Sequence, residues 1–121
     1  MELRAIQDNQ AEAGYEVICQ AVEWMKWRGI SQWSSPLPRE VYDKRQGRGE
    51  NYALFVDGRP AVVLALPRLR KSHWDDLIGP GVRMWLATLA TARDFHGQGY
   101  GAAAVGRACE LLARIFHAVC P

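Results

Sequence analysis

The chain has 121 residues, 49% of them hydrophobic and 23% charged, with a net charge of +2. That length makes one domain with a core of its own, and the alternation of apolar and polar blocks excludes a disordered chain. So small a net charge gives no footing for nucleic-acid binding, and no apolar run approaches the roughly 20 residues of a membrane span.

Met1-Glu2-Leu3-Arg4 lacks the basic and then apolar pattern of a secretory signal. Cys19, Cys109 and Cys120 are odd in number and form no CxxC pair. They read as reduced thiols of a cytoplasmic protein, with neither a disulfide framework nor a metal site. Leu3 to Ile6 alternates as a short opening strand, and Asp8 or Asn9 is placed to cap the helix after it. From Ala11 to Arg28 the residues Tyr15, Ile18, Val22 and Met25 recur at spacings of three and four, the buried face of an amphipathic helix. Gly29 ends that helix as its C′ residue. Trp24, Trp27 and Trp33 cluster near this end, either as a cap on the core or with one of them lining an acceptor pocket.

Ser34-Ser35-Pro36-Leu37-Pro38 is a turn, with Pro38 suited to the first position of a second helix running to about Gln46 and closed by Gly47-Arg48-Gly49. Asn51 to Val56, Asp57-Gly58 and Arg59 to Leu66 form a β-hairpin, because a type I′ turn needs positive φ at both central residues. Pro60 sits near a strand start, where its missing N–H is tolerated. Pro67 to Pro80, with Arg68, Arg70, Lys71, His73, Trp74, Asp75 and Asp76, is a polar connection. Met84 to Thr91 is the next strand, and Ala102 to Phe116 the last helix. The fold class is therefore α/β (α+β), a mixed sheet with helices packed on it.

Between that strand and helix lie Ala92-Arg93-Asp94-Phe95-His96 and then Gly97-Gln98-Gly99-Tyr100-Gly101. A strand, a glycine-rich turn and a helix build an anion site: phosphate can approach a backbone without Cβ atoms, where N–H groups and the positive end of the helix dipole converge. A tight connection alone would need a single glycine. A Walker-type loop requires Gly-Lys-Ser/Thr, whereas Ala102 and Ala103 follow Gly101 here. Gly97, Gly99 and Ala102 satisfy G-x-G-x-x-A, but the dinucleotide fold needs a further strand with an acidic residue about 20 positions on.

At this turn the chain resembles the GNAT N-acetyltransferase superfamily, whose signature is Q/R-x-x-G-x-G/A. His96-Gly97-Gln98-Gly99-Tyr100-Gly101 matches both glycine positions, with His96 in place of Gln or Arg. Leu89-Ala90-Thr91 is similar to the end of that family's fourth strand, and Arg28-Gly29-Ile30-Ser31-Gln32-Trp33 to the phrase after its first helix. The resemblance implies one GNAT-like domain over residues 1–121, with a mostly antiparallel sheet in the order β-α-α-β-β-β-α. It lacks most of the family's C-terminal β-α-β-β part, since only His117 to Pro121 follow the last helix. The resemblance further implies acetyl-CoA as cosubstrate, its pyrophosphate on the backbone N–H groups of Gln98, Gly99, Tyr100 and Gly101. Its pantetheine arm would pair with the backbone of Leu89 and Thr91. His96 has two readings, a donor to a phosphate or a solvated loop residue.

The implied activity is acetyl transfer to a primary amine of a small molecule or peptide. The alternative is an inactive remnant that binds acyl-CoA or a protein partner. The chemistry needs a base for the ammonium, an oxyanion stabiliser and an acid for the thiolate. Ala87 and Thr88, where many relatives offer a carboxylate, cannot serve as base. Glu50, Asp75 and Asp76 are read as solvated carboxylates, and Cys120 as a nucleophile has no base placed by sequence beyond His117 three residues away, so the catalytic residues stay unassigned. The basic groups Arg39, Lys44, Arg45, Arg48, Arg68, Arg70 and Lys71 read as a solvated face rather than a nucleic-acid surface. The far edge of the fourth strand is expected to invite a homodimer or strand exchange.

Overall fold

The structure, a computed structural model, describes residues 1–27, 29, 37–69, 83–84 and 87–119. Its elements are β1 (Glu2–Ala5), α1 (Ala11–Trp27), α2 (Arg39–Gly47), β2 (Asn51–Val56), β3 (Arg59–Ala65), β4 (Arg68–Leu69), β5 (Arg83–Met84), β6 (Ala87–Thr91) and α3 (Tyr100–Val119). Short 3-10 turns at Asp8–Gln10 and Arg93–Phe95 lead into α1 and out of β6. β1, β2, β3 and β6 form one sheet in that order, and each pairing is antiparallel. β4 and β5 make a separate two-stranded ribbon, so the polar connection expected from Pro67 onward opens with a short strand. The turn at Ser34, Trp33, and the connection from Arg70 to Pro80 with its Asp75 and Asp76 lie outside the described residues.

The hairpin follows from its turn residues. Asp57 and Gly58 have φ of 52° and 76°, the left-handed pair that a type I′ turn requires. In β3 the register steps from Leu54 opposite Val62 to Phe55 opposite Pro60, leaving Ala61 as an extra residue. A bulge of this kind turns two successive side chains toward one face. Ala61 and Val62 accordingly share one core cluster.

The sheet is covered on both faces. Val17, Ile18 and Ala21 of α1 pack with Ala53, Phe55, Val63 and Ala90, and Tyr42 of α2 closes this layer. On the other face Leu54, Val62, Leu64 and Leu66 pack with Ala104 and Ala108 of α3. Each large apolar side chain so buried contributes about 1.5–3 kcal/mol. The buried face of α1 is centred on Gly14, Val17, Ile18, Ala21 and Val22, with Tyr15 and Met25 at its margin. Trp27 is 81% exposed and lies outside the buried core.

α2 is locked to α1 by side chains that sequence periodicity does not show. Buried Tyr42 donates its hydroxyl to Ala11 O at 2.7 Å, and Tyr15 donates to Leu37 O at 2.6 Å. Arg39 bridges Glu12 at 2.7 Å and Asp43 at 2.8 Å. Asp8 is not a cap; its carboxylate accepts from Gln46 Nε2 at 3.0 Å, and the same amide reaches Ile6 O at 2.7 Å. Gln10 Oε1 takes the N–H of Gln7 at 3.2 Å instead. Asn51 Nδ2 completes the knot, donating to Tyr42 O and Gln46 Oε1 at 3.1 and 3.2 Å. Among the described residues no helix is long and apolar enough to cross a membrane.

Two outcomes follow from this lock. A Cβ at Gly14 would lie 2.6 Å from Tyr42 Oη and 3.0 Å from Ile6 Cδ1. Gly14→Ala should therefore lower stability in urea unfolding: overpacking costs about 1–3 kcal/mol, against about 1 kcal/mol gained in helix propensity. A midpoint at or above the native value would contradict this packing. Burial pushes the Tyr42 phenol from 10.0 up to about 12. The folded state thus favours the neutral phenol: its contribution is fully present below pH 10.0 and lost as pH rises toward 12. Urea midpoints measured across that range should fall steeply in the native protein and less steeply in Tyr42→Phe.

Candidate functional site

β6 has its ladder partner β3 on one side and, among the described residues, no strand on the other. Ala92 N–H donates to Ala61 O at 2.8 Å, and Ala90 lies opposite Val63. Backbone groups alternate along a strand, so Ala90 and Ala92 spend theirs on β3. Leu89 and Thr91 turn their N–H and C=O groups outward. Upstream, Val63 opposes Ala90 but Ala65 opposes Ala87, so Leu64 faces both Thr88 and Leu89. Thr88 carries the bulge at φ 54°, a rare backbone for a β-branched residue and a strain of about 1–3 kcal/mol. Arg45 Nη1 holds it there with a 3.0 Å hydrogen bond to Thr88 Oγ1.

After β6 the chain is fixed at nearly every residue. Arg93 N–H donates to Gln20 Oε1 at 3.0 Å, and Asp94 receives Arg59 Nη2 at 2.7 Å. Phe95 packs into both core clusters, edge-on to Tyr100 with ring centroids 5.5 Å apart. The His96 imidazole stacks on the Trp24 indole at 4.9 Å and 17°. Gln98 Nε2 folds back to Asp94 O at 3.3 Å. A cleft of about 410 Å³, lined by Glu16, Gln20, Arg59 and Asp94 among others, lies between α1 and the hairpin turn, and no residue from Gly97 to Gly101 lines it.

Gly97 and Gly99 have φ of 75° and 79°, and a Cβ built on either would meet nothing within 4 Å. Backbone conformation, not crowding, demands glycine there, and the space over the turn is open. Gly101 differs: it is helical, and its Cβ would make an ordinary 3.6 Å contact with Thr91 Oγ1. Ala103 N–H donates to Gly99 O at 3.1 Å as α3 begins, so the amides just before it precede the intrahelical ladder. No acidic residue occupies the first turn of α3 to oppose an anion.

Leu89, Thr91, Gln98, Gly99, Tyr100 and Gly101 therefore converge on one end of β6 and the start of α3. Leu89 is exposed, and Tyr100 is half-buried at the first helical position. His96 is half-buried against Trp24 rather than solvated. Glu50 is 4% exposed with Arg48 at 4.0 Å, which corrects its reading as a solvated carboxylate. Cys120 lies outside the described residues. Thr88 and Arg45 were not assigned to the site from sequence. A hydroxyl-bearing residue within an apolar strand run was the one available signal, and the helix that reaches it is 43 residues upstream.

No protein-family model matches the chain. Over 100 residues it is 33% identical to the uncharacterized N-acetyltransferase YesJ of Bacillus subtilis (strain 168), covering 76% of this chain and 54% of that protein. Its fold matches the crystal structure of a GNAT-family acetyltransferase from Streptococcus agalactiae 2603 with a TM-score of 0.65 at 18% identity, over 82% of this chain and 62% of that one. The chain has the fold of the GNAT-family acetyltransferases. It spans about half the length of the N-acetyltransferase that it matches. As the fourth strand of this GNAT sheet, β6 stands directly before the glycine turn, with its outward backbone groups leading toward it.

The two kinds of glycine in this GNAT turn should separate on substitution. Gly99→Ala forces a side chain into left-handed backbone and should cost about 1–2 kcal/mol. Gly101→Ala should be neutral or stabilising by up to about 1 kcal/mol. Thermal unfolding of both variants checks the contrast, and equal losses would refute it.

Proposed function

We propose that this chain acts as an acetyl-CoA-dependent N-acetyltransferase, with a primary amine of a small molecule or peptide as acceptor. The observation that carries the reading is the open backbone at Gly97 and Gly99 beside the outward edge of β6. The N–H groups of Gln98, Gly99, Tyr100 and Gly101 receive the pyrophosphate, helped by the dipole of α3. The main chain of Leu89 and Thr91 takes the amide groups of the pantetheine arm as an added strand would. Bound acetyl-CoA supplies an acetyl thioester, activated for attack by a neutral amine. The protein positions that thioester at the bulged end of β6, where ladder hydrogen bonding to β3 is interrupted. The name of the Bacillus relative, an N-acetyltransferase, supports the same reaction class.

Isothermal titration with acetyl-CoA tests the reading directly. The native chain should bind, and Gly99→Glu, which places a carboxylate and a Cβ where phosphate would lie, should not. No heat with the native chain would overturn the cofactor assignment. Binding without thiol release across a panel of amines would assign the chain to acyl-CoA binding alone.

A further inference from the structure

Three arginines of this fold are paired with carboxylates. Arg39 meets Glu12 and Asp43, Arg48 meets Glu50, and Arg59 meets Asp94. Arg45 is half-buried, and among the described residues its one polar partner is the neutral hydroxyl of Thr88, 3.0 Å away. A guanidinium stays protonated and offers five N–H donors in a planar fork that matches a carboxylate. A partly desolvated cation facing a single hydroxyl has most of that capacity unspent, and an anion is the partner that satisfies it.

Its position says which anion. Thr88 lies at the upstream end of β6, whereas the glycine turn follows the downstream end, beyond Thr91. The strand thus separates Arg45 from the place where the pyrophosphate would sit. The hydrogen bond to Thr88 holds one end of the guanidinium at the bulge.

We infer that Arg45 is a specificity residue, selecting an amine acceptor that also carries a carboxylate, as an amino acid or a peptide end does. The inference rests on the acetyl-transfer reading for the identity of that acceptor. The carboxylate pairs with the fork of Arg45 and the amine is thereby directed toward the bulge. No covalent step passes through Arg45.

The test uses the full chain with Arg45→Met and Arg45→Lys, each first shown folded by circular dichroism. Thiol release is measured with each standard L-amino acid and with its amide. The native chain should favour at least one acid over its amide by about tenfold or more in kcat/KM. Arg45→Met should bring that ratio near unity, and Arg45→Lys should retain part of it. A second measurement is independent of turnover: sodium acetate should shift the Arg45 Nε–Hε resonance saturably in the native chain. Equal rates with acid and amide, or an Arg45→Met variant that loses acetyl-CoA affinity instead, would overturn the inference. So would an Arg45 resonance that acetate leaves in place. Failure to bind acetyl-CoA would overturn the proposed reaction, and the acetate titration would still decide for or against Arg45.

Discussion

Hydrogen-bond parity along β6 is the constraint on which the rest of the site depends. The bulge at Ala61 brings its carbonyl under Ala92 N–H, and that one bond decides which backbone groups of β6 face β3. A slip of a single residue would turn Leu89 and Thr91 inward and send their side chains to the wrong face of the sheet. The second bulge, at Thr88, stops the regular ladder before it reaches the start of the strand. Two irregularities in adjacent strands thus frame three ordinary residues whose main chain has an unpaired side among the described residues.

Strain at Thr88 and openness at the turn are supported from outside β6. Arg45 reaches the bulge from α2, which the Tyr42, Arg39 and Asn51 contacts hold against α1 and β2. Gln20 of α1 and Arg59 of β3 hold the residues between β6 and the turn. The rigid elements carry the polar anchors, and the glycines are left without side chains above them. The arrangement is one of preorganisation: N–H groups that would meet an anion do not have to be ordered by it.

Much of the fold was legible because its signals are local. Asp57-Gly58 specifies a turn by backbone angle, the spacing of Ile18 and Val22 specifies a helix face, and Gly97 to Gly101 after a strand specifies an open helix start. What escaped is tertiary. Nothing in the neighbourhood of Thr88 announces positive φ, since Thr favours strands and the bulge is imposed by register with β3. Asp8 has the chemistry of a cap, yet Gln46 from 38 positions away claims it. Glu50 looks solvated beside Arg48 and Gly49, and only the fold around Leu66, whose N–H donates to Glu50 O, buries it. Trp27, one of the tryptophans gathered at the end of α1, is 81% exposed.

Phe95 is half-buried and packs against both core clusters, one on each face of the sheet. It sits four residues before Gly99, in the same short segment that Arg59 and Gln20 hold. The connection to the glycine turn therefore cannot fray as an independent loop. To open, it must withdraw a ring that the α1 layer and the α3 layer both use. The segment that leads to the turn thus belongs to the same cooperative unit as the core.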